Sequence, residues 1–203
     1  MKTFASFVVS GLLTALPLAT TALHAQQPAG APPAPPMVLT VQGFADGADI
    51  PIKFSQAAPG VAPGEGLSPA INWINVPAGT QSFVLNMRDL DVARNRTTDD
   101  QAHWVVWNIP ANAKGIAEGQ PKGAQLPDGS FQHSATGLMY RGPGAAATGP
   151  KHHYVFEVYA LDIKLDVAPG ADAFESRNKV FQAMQGHVLG KAVYSGLFRR
   201  PAQ

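Results

Sequence analysis

The chain has 203 residues, of which 45% are hydrophobic and 14% are charged. This balance fits one globular domain with a sizeable core and excludes a fibre or a disordered tail. The formal net charge is +1 and no basic run stands out, so bulk charge gives no reason to expect nucleic-acid binding. The chain contains no cysteine, which excludes disulfides, thiolate metal sites and a cysteine nucleophile.

Residues 1–25 have the features of a secretory signal peptide. Lys2 precedes an apolar segment, residues 7–19, and small residues follow up to Ala25. The apolar segment is short for a membrane span and contains Pro17, which makes a permanent anchor the less favoured alternative. We therefore expect cleavage near Ala25 and a periplasmic or secreted protein with no transmembrane segment after cleavage.

Residues 26–37 are rich in Pro, Ala, Gly and Gln, and they are predicted to be a flexible linker to a domain over residues 38–203. Within the domain, short runs of β-branched and aromatic residues bounded by turn residues predict strands. These runs lie at residues 38–41, 52–54, 71–76, 82–87, 103–109, 152–161 and 192–198. Residues 77–80 have a suitable length for a hairpin turn, and residues 111–136 are expected to be mostly loop.

One segment is predicted to be helical. Asp172 and Glu175 form a capping-box pattern at its start. Four apolar residues then recur at helical spacing: Phe174, Phe181, Met184 and Val188. The helix should run from about residue 172 towards residue 190, with a break at Gly186. Many short strands and one late helix predict a mainly β fold, an antiparallel β-sandwich with a C-terminal helix.

A glycine- and proline-rich loop leads directly into one of the predicted strands. Residues 142–150 cannot form a long regular element, so a tight loop should end where the strand begins at His152. His152 and Tyr154 project from one face of that strand, whereas His153 points to the other face. Polar side chains at the mouth of an apolar core are typical of a small-ligand site.

Two carboxylates and a third histidine are expected near the same place. Asp89 and Asp91 follow a predicted strand and can face the same side, and His103 begins the next strand. If the connection between these strands is a hairpin, the three residues come together. His152 and Tyr154 would then complete a pocket of two carboxylates, two imidazoles and a phenol. Taken alone, the two aspartates could instead cap a turn.

Five spaced segments carry a resemblance to a known family. They are Asp89-Leu-Asp-Val-Ala93, His103-Trp104 with Asn108-Ile-Pro110, Tyr140-Arg-Gly-Pro-Gly-Ala-Ala146, His152-His-Tyr-Val-Phe156 and Ala160-Leu-Asp162. In this order they resemble the motifs of the phosphatidylethanolamine-binding protein (PEBP) family, and within it the bacterial Raf-kinase-inhibitor-like proteins. The resemblance covers residues 38–200 and also assigns residues 186–189 to the C-terminal helix of the family.

The resemblance implies a β-sandwich with a small cavity that accepts phosphate and phosphoryl head groups. Carried over residue by residue, the ligand-binding positions are Asp89, Asp91, His103, Gly144, His152 and Tyr154. We expect no catalytic residue, no cofactor and no metal. The expected function is therefore a non-enzymatic binding protein for a small phosphoryl-bearing ligand or a lipid head group such as that of phosphatidylethanolamine.

The sequence also departs from the family motifs. Four prolines are replaced, by Leu90, Ala93, Ala145 and Ala146, and an arginine is replaced by His153. Proline fixes φ, so these changes predict looser loops around the pocket. The substituted histidine supplies a positive charge only when it is protonated.

An anion cavity that contains aspartates needs a source of positive potential. We expect backbone N–H groups of the glycine-rich loop and protonated imidazoles to face the phosphoryl group, with the carboxylates holding the imidazoles in place. Since a nearby carboxylate favours the charged form of histidine, phosphoryl binding should weaken as the pH rises above neutrality.

Two alternatives come from other functional classes. The first is a regulatory or inhibitory protein that acts on a protein partner such as a protease or a kinase. The second is a metal-dependent hydrolase that uses Asp89, Asp91, His103 and His152, since spaced histidines and carboxylates are acceptable metal ligands. The chain has no His-Glu-x-x-His or other local metal signature, which disfavours the second alternative.

Overall fold

The computed structural model of the protein describes residues 34–202. The predicted signal peptide, residues 1–25, lies outside the described residues, and so do residues 26–33 of the predicted linker. Within the described part of the chain, no helix has the length and apolar character needed to cross a bilayer.

Eight β-strands lie within residues 34–202. They are β1 (Val38–Val41), β2 (Ile71–Ile74), β3 (Ser82–Asp89), β4 (Gln101–Pro110), β5 (Gly115–Ile116), β6 (Phe131–His133), β7 (His152–Leu161) and β8 (Val188–Phe198). They form two antiparallel sheets with the orders β1-β2-β5 and β6-β4-β3-β7-β8. With the helix α1 (Ala173–Ala183) near the C-terminus, this architecture confirms the predicted antiparallel β fold.

The larger sheet is covered on both faces. On one face it packs against the smaller sheet, where the rings of Trp73 and Phe83 lie 4.9 Å apart and both side chains are buried. On the other face Val84 and Trp107 pack with Val180 of α1 in a second apolar cluster. A strand that is buried on both faces needs apolar residues on both, which explains the near-continuous burial of β3.

Two predictions about the first half of the domain are wrong. Residues 52–54 form a short 3₁₀ helix, Ile52–Phe54, because the Phe54 N–H bonds locally to the Pro51 carbonyl and not to another strand. Residues 77–80 do not join a hairpin. The strand β2 pairs with β1 and β5, whereas β3 pairs with β4 and β7. The chain changes sheet here because both strands bury one face in the core between the sheets.

The predicted helix is too long at its C-terminal end. Its start is as predicted, since the Asp172 carboxylate accepts hydrogen bonds from the backbone N–H groups of Phe174 and Glu175 at 2.9 and 3.1 Å. The helix ends at Ala183, and Gly186 takes a left-handed φ of 83° that stops it. Residues from Val188 onward then pair with β7, so residues 186–189 do not continue a helix. Residues 111–136, which are expected to be mostly loop, also contain the short strands β5 and β6.

Candidate functional site

The candidate site lies where three strands of the larger sheet meet. Because β3 is antiparallel to both of its neighbours, its end lies beside the starts of β4 and β7. The register places Asp89 opposite Tyr154 on one side and opposite Gln101 on the other. The glycine-rich loop that precedes β7 covers this edge of the sheet, as the sequence predicts.

These elements surround a pocket of about 390 Å³. Its lining residues are Gln56, Asp89, Val92, Gln101, His103, Arg141, Gly144, Ala145, Ala146, His152, Tyr154 and Arg200. Five of the six predicted site residues therefore line one cavity. The sixth, Asp91, is not part of the lining.

Asp89 holds the ring of His152. The carboxylate is 3% exposed, and its two oxygens lie 3.1 and 2.9 Å from Nδ1 of His152. One of these oxygens also accepts a hydrogen bond from the backbone N–H of Asp91 at 3.0 Å. A carboxylate in this position assigns the Nδ1 proton to the imidazole and leaves Nε2 free for another partner.

The Asp91 carboxylate contacts the next residue of β7, His153. This carboxylate accepts hydrogen bonds from the backbone N–H of His153 at 2.6 Å and from the His153 ring at 3.0 Å. Burial alone would raise the pKa of Asp91, but these hydrogen bonds and the nearby imidazoles lower it. The Asp91 carboxylate therefore fastens the loop after β3 to the start of β7.

His103 is neutral near physiological pH. The side chain is 2% exposed, and its Nδ1–H donates to the backbone carbonyl of Arg141 at 3.0 Å. Burial lowers the pKa of His103 to about 4, and the charge of Arg141 acts in the same direction. The expectation that a protonated imidazole faces the ligand is therefore wrong for His103.

The loop N–H groups have a different partner from the one predicted. The hydroxyl of the buried Tyr154 accepts hydrogen bonds from the backbone N–H groups of Gly144 and Ala145, each at 3.2 Å. Burial, followed by the charge of Asp89, raises the pKa of Tyr154, so the phenol keeps its proton. A Cβ atom at position 144 would meet the amide group of Gln56, so a larger residue here would require that side chain to move.

Two arginines in the lining were not among the predicted site residues. Arg141 follows the first tyrosine of the loop motif, and Arg200 lies just after β8. Within residues 34–202, the buried Nε atoms of both side chains have no hydrogen-bond partner. Burial lowers the pKa of Arg141, although an arginine remains charged throughout the physiological range. The one sequence signal for this feature was an arginine inside a glycine-rich loop.

The charged side chains that line the pocket carry a net positive charge. They are Asp89, Arg141 and Arg200, so the net charge is positive even with both histidines neutral. The arginines thus supply the positive potential that the sequence assigned to imidazoles and loop N–H groups. The charge of the nearby Asp89 carboxylate reduces this potential but does not outweigh the two arginines.

A larger cleft adjoins the pocket. It measures about 750 Å³ and is lined by Ile52, Gln56, Ala57, Gly144, Ala146, Ala147, Arg200, Pro201 and Ala202. Gln56, Gly144, Ala146 and Arg200 belong to both linings. The adjoining cleft therefore gives room for a ligand that is larger than a free phosphate.

The predicted metal alternative has a partial structural basis. Asp89, Asp91 and His152 each place one potential ligand atom within 4.8 Å of the others. Both carboxylates already accept hydrogen bonds, from His152 and from His153. His103 is not part of this group in the described residues.

The sequence matches a known family over most of its length. The family model described as phosphatidylethanolamine-binding protein matches residues 40–199. A protein of Methanothermobacter thermautotrophicus named UPF0098 protein is 39% identical over 166 residues, which cover 81% of this chain and 99% of that protein. LppC of Mycobacterium tuberculosis, which its name proposes to be a lipoprotein, is 31% identical over 182 residues, covering 89% of this chain and 82% of LppC.

A solved structure agrees with this match. The crystal structure of a PEBP homologue from Chlamydia trachomatis aligns with a TM-score of 0.64 at 31% sequence identity. The alignment covers 80% of this chain and 97% of the Chlamydia chain. The protein therefore belongs to the phosphatidylethanolamine-binding protein family.

Proposed function

We propose that this protein is an exported, non-enzymatic binding protein whose pocket takes phosphate or the phosphoryl head group of a small molecule or lipid. One observation carries the proposal, namely that two arginines and a single aspartate supply the charged lining of the pocket. Guanidinium groups present several N–H donors in a geometry that suits phosphoryl oxygens. The name of the family, which refers to a phosphoryl-bearing lipid, points to the same ligand class.

The arrangement around His152 supports binding in preference to catalysis. Asp89 occupies Nδ1 of His152, so Nε2 is left to donate to a phosphoryl oxygen when the ring is an imidazolium, or to accept from a phosphoryl hydroxyl when it is neutral. Among residues 34–202, no serine or threonine lines the pocket where this imidazole could activate it as a nucleophile.

Export is proposed from the N-terminal sequence. Residues 1–25 have the charge, apolar segment and small residues of a secretory signal. The relative LppC carries a name that proposes a lipoprotein, which agrees with a location outside the cytoplasm. N-terminal sequencing of the protein recovered from the periplasm or medium tests this part, and an unprocessed Met1 would contradict it.

Calorimetric and NMR titrations test the ligand. Inorganic phosphate and O-phosphoethanolamine should give saturable binding, with chemical-shift changes centred on residues 142–154 and His103. His152→Ala should weaken this binding by about tenfold, because one charge-assisted or strong hydrogen bond is lost. His187→Ala is a matched control, since His187 also pairs with a carboxylate, Asp162, but does not line the pocket. Absence of a response to either phosphoryl probe would exclude the proposed function.

A metal-dependent hydrolase is the second candidate, because Asp89, Asp91 and His152 lie close enough to share an ion. Titration with Zn²⁺ and assay with a chromogenic phosphate ester would distinguish the two functions. Tight stoichiometric metal binding together with turnover that is lost in Asp91→Asn would favour the hydrolase.

A further inference from the structure

Among the described residues, the two arginines of the pocket differ from other partly buried arginines in that they form no ion pair. Arg88 and Arg177 both pair with Asp100, at 2.6 and 2.5 Å. Within residues 34–202, Arg141 and Arg200 make no ion pair, and their buried Nε atoms have no hydrogen-bond partner. Both side chains line the pocket without an acceptor from the described chain, so their guanidinium groups favour an acceptor from outside the chain.

The acidic residue of the pocket does not meet this need. Asp89 directs both carboxylate oxygens to His152, and one of them also accepts the backbone N–H of Asp91. Asp91 in turn is engaged by His153. Among the described residues neither carboxylate forms an ion pair with Arg141 or Arg200, so the guanidinium donors of both arginines remain available to a ligand.

We propose that Arg141 and Arg200 form a two-arginine clamp that makes the pocket selective for phosphate monoesters over phosphate diesters. The proposal rests on the proposed function, since it concerns the same pocket. A phosphate monoester carries nearly two negative charges and three terminal oxygens, which two guanidinium groups can engage together. A diester, such as the head group of an intact phospholipid, has one charge and two terminal oxygens. One of the two guanidinium groups would then have fewer terminal oxygens to engage.

The pocket and the adjoining cleft together have the shape for a phosphate group that carries one organic substituent. Arg200 lines both the pocket and the adjoining cleft, together with Gln56, Gly144 and Ala146. A monoester can therefore place its three terminal oxygens at the clamp while its single substituent extends into the cleft. The second substituent of a diester would replace one of the oxygens that the clamp binds.

A pair of matched probes tests the clamp. Calorimetry at about pH 8, where a monoester is a dianion, compares methyl phosphate with dimethyl phosphate on the full processed chain. The protein should bind the monoester at least about tenfold more tightly, which is the effect of one additional charge-assisted hydrogen bond. Arg141→Gln and Arg200→Gln should each reduce this preference, and the double variant should bind the two probes about equally.

The neighbouring Arg199 supplies a control. Its guanidinium donates to the Gly149 carbonyl at 2.9 Å and does not line the pocket, so Arg199→Gln changes the net charge equally. This variant should keep the preference of the unaltered protein. Arg141→Lys and Arg200→Lys keep the charge but lose the planar fork, and they should show an intermediate preference. These lysine variants decide the question if a glutamine variant does not fold, as judged by its thermal unfolding.

The possible results separate the clamp from the proposed function. Equal affinity of the unaltered protein for the two probes overturns the clamp and leaves phosphoryl binding intact. A monoester preference that survives in the double glutamine variant overturns it as well. Failure of both probes to bind overturns the proposed function itself. A preference that falls only in the variants of Arg141 and Arg200 supports the clamp.

Discussion

Nδ1 of His152 lies 2.9 and 3.1 Å from the two carboxylate oxygens of Asp89, which is almost completely buried. Asp89 ends β3 and His152 begins β7, so this contact joins two neighbouring strands at the edge of the pocket. The carboxylate fixes the orientation and the tautomer of the imidazole. Asp89 is therefore a positioning residue, although its negative charge by itself would repel an anion.

Asp89→Asn separates these two roles. If Asp89 positions His152, the variant should bind inorganic phosphate roughly tenfold more weakly, because an amide holds the imidazole less firmly than a carboxylate does. Calorimetry with phosphate measures the change. If the carboxylate acts mainly by repulsion, its removal would strengthen binding. Asp162→Asn is the control, since Asp162 pairs with His187 away from the pocket and its loss should leave the affinity unchanged.

His103 should make the protein less stable in mild acid. Burial lowers its pKa from 6.5 to about 4 in the folded state. Between these two pKa values the unfolded chain binds a proton that the folded chain does not. The contribution of neutral His103 to the free energy of unfolding is therefore fully present above pH 6.5 and is lost as the pH falls towards 4. A shift of this size corresponds to about 3 kcal/mol in the free energy of unfolding. Urea unfolding of the protein over this pH range measures the loss.

The contribution of His103 is isolated by substitution. His103→Gln removes the titrating group, so its free energy of unfolding should depend less on pH over the same range. His187→Gln changes a histidine that is far more exposed and should keep the steeper dependence. Parallel pH profiles for the unaltered protein and His103→Gln would contradict the assignment.

Much of the site could be predicted because strand periodicity and motif order concern residues close in sequence. Alternation along β7 correctly places His152 and Tyr154 on one side and His153 on the other. Arg200 could not be found in this way. It reaches the pocket because β8 pairs with β7 with Phe198 opposite His152, and its backbone N–H bonds to the Ala145 carbonyl at 3.0 Å. This position depends on strand register, which local sequence patterns do not encode.

The same distinction applies to the fold. Most strands were predicted because β-branched and aromatic runs have a local signal. Local patterns do not identify the partner of each strand, and they therefore predict a hairpin turn at residues 77–80, where the chain passes from one sheet to the other. The end of α1 was misplaced because the apolar spacing continues through Val188, while Gly186 already reverses the backbone.

Two buried tryptophans should respond differently to the same substitution. Nε1 of Trp104 donates to Oε1 of Gln132 at 2.8 Å, whereas Nε1 of Trp73 is buried without a partner among the described residues. Both changes to Phe remove similar volume from the core. Trp104→Phe also leaves a buried acceptor unsatisfied, so it should cost about 1–3 kcal/mol more than Trp73→Phe. Urea unfolding measures both variants, and equal losses would contradict this reasoning.

On the opposite face of the larger sheet, Glu157 should be important for stability. Its buried carboxylate accepts hydrogen bonds from Asn86 at 2.9 Å, Arg88 at 3.0 Å and Lys191 at 2.6 Å. Removing one member of a buried charged network leaves the others unmatched. Glu157→Gln should therefore lower the free energy of unfolding by about 3 kcal/mol at neutral pH. The exposed pair of Glu118 with Lys53 is the comparison, and Glu118→Gln should cost less than about 1 kcal/mol.

The pH dependence of the Glu157 effect gives a second measurement. Burial alone would raise the pKa of Glu157, but its contacts with Lys191, Asn86 and Arg88 lower it below the ordinary value of 4.5. A carboxylate with a lowered folded pKa stabilises the protein above its unfolded pKa, and this stability is lost as the pH falls. The difference between the unaltered protein and Glu157→Gln should therefore shrink in acid, because protonation neutralises Glu157 and removes the charge that the variant already lacks. A difference that stays constant from neutral pH into acid would show that the loss comes from packing and not from charge.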